Sequence, residues 1–102
     1  MVGQLQAALA DCNEALRLSP NVSGALDSRG FTYLKMGQFD QAIADYDAAL
    51  RLNPAQSASL YGRGLAKRAK GDIGGSDADI AAASQIEPEI AKKFETHGVP
   101  GP

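Results

Sequence analysis

The chain has 102 residues, 44% of them apolar, 22% charged and none tryptophan, enough to build one core with little room for a second domain. Ten Lys and Arg against twelve Asp and Glu give a net charge of −2, so no overall positive field draws the chain to nucleic acid or to anionic lipid. Cys12 is the single cysteine, which excludes an internal disulfide and a zinc site built from several thiolates.

The first stretch, MVGQLQAALADCNEAL, is too polar for a signal peptide and lacks its basic flank, and no apolar run approaches the ~20 residues needed to span a bilayer. A soluble chain, cytoplasmic by default and with no membrane insertion, is the expectation. Next, SGALDSRGFTYLKMG carries Leu26, Gly30, Tyr33 and Leu34 on one stripe and stops at Gly37, a residue suited to the left-handed turn after a helix. In QFDQAIADYDAALRLNP, Phe39, Ala42, Ile43, Tyr46, Ala49 and Leu50 recur at the three-and-four spacing of an amphipathic helix. Two helices joined by so short a turn lie antiparallel. The predicted helix 57–70 bears Arg63, Lys67, Arg68 and Lys70 and no acid. Neutralisation by the aspartates of 72–79 and an anionic ligand are the two readings of that patch. The segment GDIGGSDAD, residues 71–79, lacks the ligand order of an EF-hand and the Lys-Ser/Thr of a phosphate loop. A turn and an acidic first helical turn explain it, with Asp72 and Asp77 at the helix start and Gly74 and Gly75 fraying it. The tail EIAKKFETHGVPGP opens with Ile90 and Phe94 on one face, Lys92, Lys93 and Glu95 on the other, and stops at Gly98.

These elements repeat. Gly3, Gly37 and Gly71 are spaced by 34, as are Pro20, Pro54 and Pro88, Asp11, Asp45 and Asp79, Ala10, Ala44 and Ala78, and Ala15, Ala49 and Ala83. Leu18, Leu52 and Ile86 keep the register, and Arg29–Arg63, Gly30–Gly64 and Leu26–Leu60 share the offset. A fixed period of this length means one supersecondary unit stacked on copies of itself. Each closing proline disfavours helix in the residue before it, so one helix pair ends there and the next begins.

A 34-residue period made of two helices resembles the tetratricopeptide repeat, with its W-x2-L-G-x2-Y, A-x3-F and late-proline pattern. In residues 23–56, Leu26 takes the tryptophan place, Gly30 the glycine, Tyr33 the tyrosine, Ala42 the alanine, Tyr46 the later aromatic and Pro54 the proline. Residues 57–90 match through Leu60, Gly64, Ile80, Ala83 and Pro88, but Lys67 replaces the tyrosine and Ser76 the alanine. Residues 3–22 match only a second helix, through Ala8, Cys12, Ala15 and Pro20. The resemblance implies an all-α, right-handed solenoid of helical hairpins in a single domain 1–102. That domain comprises a half-repeat over 1–22, full repeats over 23–56 and 57–90, and a capping helix with its tail over 91–102. The wording of AIADYDAALRLNP is similar to that of bacterial members.

Gly30 and Gly64 sit mid-helix, where glycine costs ~1 kcal/mol against alanine, so close packing of paired helices is expected there, and Gly30→Leu should overpack. Arg29 and Arg63 stand where the family has leucine. With the periodic aspartates they form either an Arg–Asp ladder or solvated charges duplicated with the repeat.

The resemblance also implies a function: a non-catalytic scaffold that binds a peptide or helix of a partner protein in its concave groove. The groove-facing candidates are Asp27, Ser28, Phe31 and Lys35 from one helix with Tyr61, Leu65, Arg68 and Ala69 from the next. Phe31 and Tyr61 are the anchors, Lys35 and Arg68 the partners for acids, and Ser28 a hydrogen-bonding group. The places where one subgroup of the family grips the C-terminal carboxylate of chaperones hold Gly24, Asp27, Ser28, Phe31, Ala58, Tyr61 and Gly62, so that clamp is absent. A partner met by apolar or mixed contacts is implied instead. Self-assembly is the alternative: a second helix without its partner leaves Leu5, Leu9, Cys12 and Leu16 partly uncovered, to be covered by another chain or by upstream residues. Cys12 reads as a core residue, or as a reactive thiol if that cover is missing. His97, the lone histidine, has no partners for a triad or a metal, so no enzyme, cofactor or metal site is expected.

Overall fold

The computed structural model describes residues 2–102, without the side chain of Val2. Among these residues six helices follow one another with no strand: α1 (Val2–Leu18), α2 (Ser23–Lys35), α3 (Phe39–Leu52), α4 (Ser57–Ala69), α5 (Ile73–Ile86) and α6 (Ile90–Thr96). Each packs on the next, α2 also lies beside α4, and α4 beside α6, which makes a helical solenoid. No helix is long and apolar enough to cross a membrane among the described residues.

Two kinds of turn alternate. After α2, α4 and α6 the chain reverses through Gly37, Gly71 and Gly98, with φ of 76, 93 and 83°, a conformation in which a Cβ is strained. In each turn the following N–H reaches back five residues, from Gln38 to the Tyr33 carbonyl, Asp72 to Lys67 and Val99 to Phe94, all at 2.9 Å. That closes the helix end by satisfying an orphan carbonyl. After α1, α3 and α5 the N–H of Ser19, Asn53 and Glu87 bonds the carbonyl of Ala15, Ala49 and Ala83 at 2.9, 2.8 and 2.8 Å, and a proline follows. The ring of that proline blocks another helical turn.

The fraying expected at Gly74 and Gly75 is not found. Helix α5 begins at Ile73 and takes both glycines into its first turn, because the Asp72 carboxylate accepts the Gly75 N–H at 3.0 Å. A Cβ on Gly75 would stand 2.4 Å from that carboxylate, so the glycine is what lets the cap approach.

The recurring small residues have a packing cause. Tyr46 of α3 is wholly buried between α2 and α4. A Cβ on Gly30 would lie 3.0 Å from its Cε1, and one on Gly62 2.4 Å from its Cζ and hydroxyl. One period later Ile80 takes the place of Tyr46, and a Cβ on Gly64 would meet its Cγ1 at 2.9 Å and the Ser76 carbonyl at 3.1 Å. The helix-propensity cost of each glycine, ~1 kcal/mol, is offset by this close approach. Around Tyr46 the core gathers Leu34, Leu50, Leu60, Tyr61, Ile90 and Phe94. A smaller cluster of Leu16, Leu26 and Ala49 joins α1 to the stack.

Candidate functional site

Helices α2, α4 and α6 lie side by side in the stack. Phe94 of α6 stands edge-on to Phe31 of α2, ring centroids 5.4 Å apart, and to Tyr61 of α4 at 4.7 Å. The rim of a ring is its positive edge and the face its negative one, so such contacts add to the area buried. The His97 ring meets Phe31 edge-on at 6.3 Å. Between α2, α4 and α6 remains an open cleft of ≈ 270 Å³, lined by Asp27, Phe31, Ala58, Glu87, Ile90, Lys93, Phe94 and His97.

At the cleft Asp27 accepts a hydrogen bond from the Ser59 hydroxyl at 2.7 Å, and Ser59, fully buried, accepts in turn from the Gln56 amide at 2.8 Å. Burial pushes the Asp27 carboxyl above the usual carboxylate range, against the opposing pull of the Ser59 and Gln56 side chains. On the far wall the Ser57 hydroxyl donates to Glu87 at 2.6 Å and Lys93 pairs with the same carboxylate. That pairing holds the Glu87 carboxyl below its ordinary value. His97 Nδ1 lies 2.8 Å from the Lys93 carbonyl.

Tyr61 requires a correction. Expected as a groove-facing anchor, it is 1% exposed beneath Phe94, and its hydroxyl has no hydrogen-bond partner among the described residues. It supports the surface that a partner meets and is not itself presented. Phe31 is half-buried at the cleft, while Ser28, Lys35, Arg68 and Ala69 are exposed. Lys35 Nζ sits 5.4 Å from the Phe31 ring centroid and Arg68 reaches Asp77 at 3.8 Å. Leu65 is half-buried against the core. The structure thus gathers Asp27 and Phe31 at the cleft and leaves Leu65, Arg68 and Ala69 outside its lining.

At the other end, Leu5, Leu9 and Cys12 of α1 are half-buried. Leu16 does not join them as an uncovered residue: it is 7% exposed, packed with Leu26 and Ala49. Burial pushes the Cys12 thiol up despite the nearby Arg29, which lowers its thiolate fraction and hence its reactivity.

The charges form a ladder with two rungs. Arg29 holds both oxygens of Asp45 at 2.7 Å and reaches Asn13 at 3.1 Å. Arg63 holds Asp79 at 2.8 and 2.9 Å and reaches Asp47 at 2.9 Å. Each guanidinium therefore ties its own second helix to the preceding one through the fork geometry suited to carboxylates. Lys67 adds a contact to Asp79 at 3.0 Å, and Lys70 pairs with Asp40. Each cation of the α4 patch thus meets an aspartate, Arg63, Lys67 and Arg68 within 72–79 and Lys70 outside it. Among the described residues Asp11, the third periodic aspartate, has no cation in contact.

Reasoning from sequence overlooked α6 as a wall of the cleft. The signal lay in the period itself: Phe94 follows Leu26 and Leu60, Gly98 follows Gly30 and Gly64, and His97 follows Arg29 and Arg63, each at 34 residues. The tail is therefore the start of another first helix, cut short at Gly98. Its register did not reveal that Phe94 would turn toward Phe31. The Ser59–Asp27 bond was overlooked too, because no spacing rule marks a serine on one first helix as the partner of an aspartate on the one before.

No curated protein matches the chain. Residues 28–56 match the family described as Tetratricopeptide repeat, the stretch from within α2 through α3 to the connection that precedes α4. With that match, six helices packed pair on pair and the turns repeating every 34 residues, residues 28–56 are a tetratricopeptide repeat within a helical solenoid.

Proposed function

We propose that the chain is a non-catalytic scaffold that holds a peptide or helix of a partner protein at the cleft between α2, α4 and α6. Tetratricopeptide repeats are protein-interaction modules in general, and the observation that carries the finer reading is Phe31. This aromatic ring is half-buried at the mouth of a cleft whose other walls, Ala58, Ile90 and Phe94, are apolar. Concave apolar surface with a few convergent polar groups is what a bound segment needs. The polar groups of this cleft include two carboxylates, Asp27 and Glu87, which disfavours the C-terminal carboxylate of a chaperone as ligand. The non-catalytic reading is supported by the raised Cys12 thiol and by the engagement of His97 with a backbone carbonyl.

The test is selection from a random peptide library displayed on phage, on the wild-type chain and on Phe31→Ala shown to be folded by circular dichroism. Peptides that bind the wild type and lose roughly tenfold or more on Phe31→Ala are expected, since anchor residues at interfaces carry ≥ ~1.4 kcal/mol. Equal binding to both sinks the assignment of the cleft.

A second reading, self-assembly through α1, is favoured by Leu5, Leu9 and Cys12, which α2 covers only in part. Sedimentation velocity over a wide concentration series decides it: a single monomeric species throughout removes this reading.

A further inference from the structure

Three aspartates of the repeats, Asp45, Asp79 and Asp27, are treated differently by their surroundings. Asp45 and Asp79, with side chains 8% exposed, each receive an arginine in a two-bonded fork. Asp27 receives the hydroxyl of Ser59, with the neutral Gln56 side chain beside it. Among the described residues no lysine, arginine or histidine nitrogen stands within ion-pair distance of its carboxylate. The cations that share its cleft are committed elsewhere: Lys93 to Glu87, and the His97 ring to the Lys93 carbonyl. Withdrawing a carboxylate from water without a counter-charge is unfavourable, and a fold that already supplies its other two with arginine has no structural need for a third left bare. Asp27 also opens onto the cleft, where Phe31 and Phe94 form walls beside it.

We infer that the cleft takes a lysine or arginine side chain of the bound segment, with Asp27 as its counter-ion and the rings of Phe31 and Phe94 flanking its aliphatic stem. An arginine or lysine stem is apolar and packs on aromatic faces while its head seeks charge. The head gains a charge-assisted hydrogen bond in a site sheltered from water, where such bonds are stronger than at the surface. Glu87 holds Lys93 in an ion pair, away from the Asp27 carboxylate. The partner is thus a peptide or helix with a basic residue set among apolar ones. This rests on the assignment of the cleft proposed above and names the chemistry that the cleft reads.

The experiment extends the same library selection. Peptides selected on the wild-type chain are sequenced, and the tightest is remade with its basic residue replaced by norleucine, which keeps the stem and removes the charge. Both peptides are titrated against the wild type and Asp27→Asn. Selected peptides should be enriched in Lys or Arg, and the norleucine peptide should bind the wild type roughly tenfold or more weakly, in line with a hydrogen bond to a charged group. On Asp27→Asn the two peptides should bind alike. The melting temperature of Asp27→Asn should equal or exceed that of the wild type, since a buried bare charge is removed. Enrichment without basic residues, a basic peptide held equally well by Asp27→Asn, or a destabilised Asp27→Asn overturns this inference while the cleft assignment stands. If no peptide is selected, or if Phe31→Ala binds as well as the wild type, both fall together.

Discussion

The two ends of the stack solve the same problem with different means. At the C-terminal end α6 lays Ile90 and Phe94 onto α4 and α5, and with Tyr46 and Tyr61 they belong to one continuous apolar core. At the N-terminal end α1 is held by α2 through a cluster of only Leu16, Leu26 and Ala49, and Leu5, Leu9 and Cys12 remain half-exposed. The comparison teaches where the stability of a solenoid resides. Each repeat contributes through the interface to its neighbours, so an end is as stable as the element that covers it.

The comparison breaks most visibly at Phe94. Removing that ring in Phe94→Ala deletes a buried aromatic, 6% exposed, and should cost ~3–5 kcal/mol. The half-exposed Leu9, truncated to alanine, should cost under ~1.5 kcal/mol, because the transfer of a partly covered side chain is only partly lost. Thermal melts compare them, and equal losses would refute the asymmetry. A second readout follows from Tyr61. Burial pushes the pKa of its phenol up, with the nearby Glu95 adding to the effect, so in Phe94→Ala the phenol should titrate closer to its ordinary value in an ultraviolet pH titration. If it does not move, α6 does more than Phe94 to cover it.

Much of this was legible beforehand. The period of 34 gave helix number, turn positions and the stacking of pairs, because each is a local consequence of glycine, proline and apolar spacing. Gly30 and Gly64 announced close approach by their cost, and Arg29 and Asp45 announced a rung by their shared register. The structure added what depends on three-dimensional placement. Gly62, nearest of all to Tyr46, has no periodic twin among the glycines, since Ser28 holds its place one period earlier. Tyr61 reads as a groove residue until Phe94 covers it, and Asp27 shows its lack of a cation only when every neighbouring charge has been located.

The two rungs of the ladder sharpen the comparison at the next lower magnitude. Asp79 touches both Arg63 and Lys67, whereas Asp45 relies on Arg29 among the described residues. Arg29→Gln therefore leaves a nearly buried carboxylate without a cation and should cost ~2–3 kcal/mol, while Arg63→Gln, with Lys67 in place, should cost ~1 kcal/mol. Reversed magnitudes in urea titrations would show that Asp47 and not Asp79 is the partner that matters to Arg63. The pH dependence follows with its sign. Burial pushes the Asp79 carboxyl up, but hydrogen bonds from Arg63 and Lys67 outweigh it, and the carboxyl lies below its ordinary value. A depressed folded-state value contributes stability above the unfolded-state value, near pH ~4, and that stability is lost as pH falls through the folded value. The deficit of Arg63→Gln should accordingly shrink on acidification below pH ~4. Asp27, whose carboxyl is raised, runs the other way: its burden is present at neutral pH and relieved as the carboxyl protonates.

The smallest effect belongs to Asp11. It keeps the register of Asp45 and Asp79 but is exposed, and among the described residues no cation meets its carboxylate as Arg29 and Arg63 meet the others. Periodicity alone would rank the three aspartates as equals, whereas physical chemistry ranks them by desolvation and by the cation each one meets. Asp11→Asn should then change stability by no more than ~0.5 kcal/mol, the range of ordinary surface substitutions. Asp45→Asn, which breaks a two-bonded fork in a nearly buried place, should be clearly destabilising in the same melts. A cost at Asp11 comparable to that at Asp45 would mean that a cation covers it in solution. The first place to look for that cation is a second chain seated on α1, which ties this measurement to the sedimentation experiment.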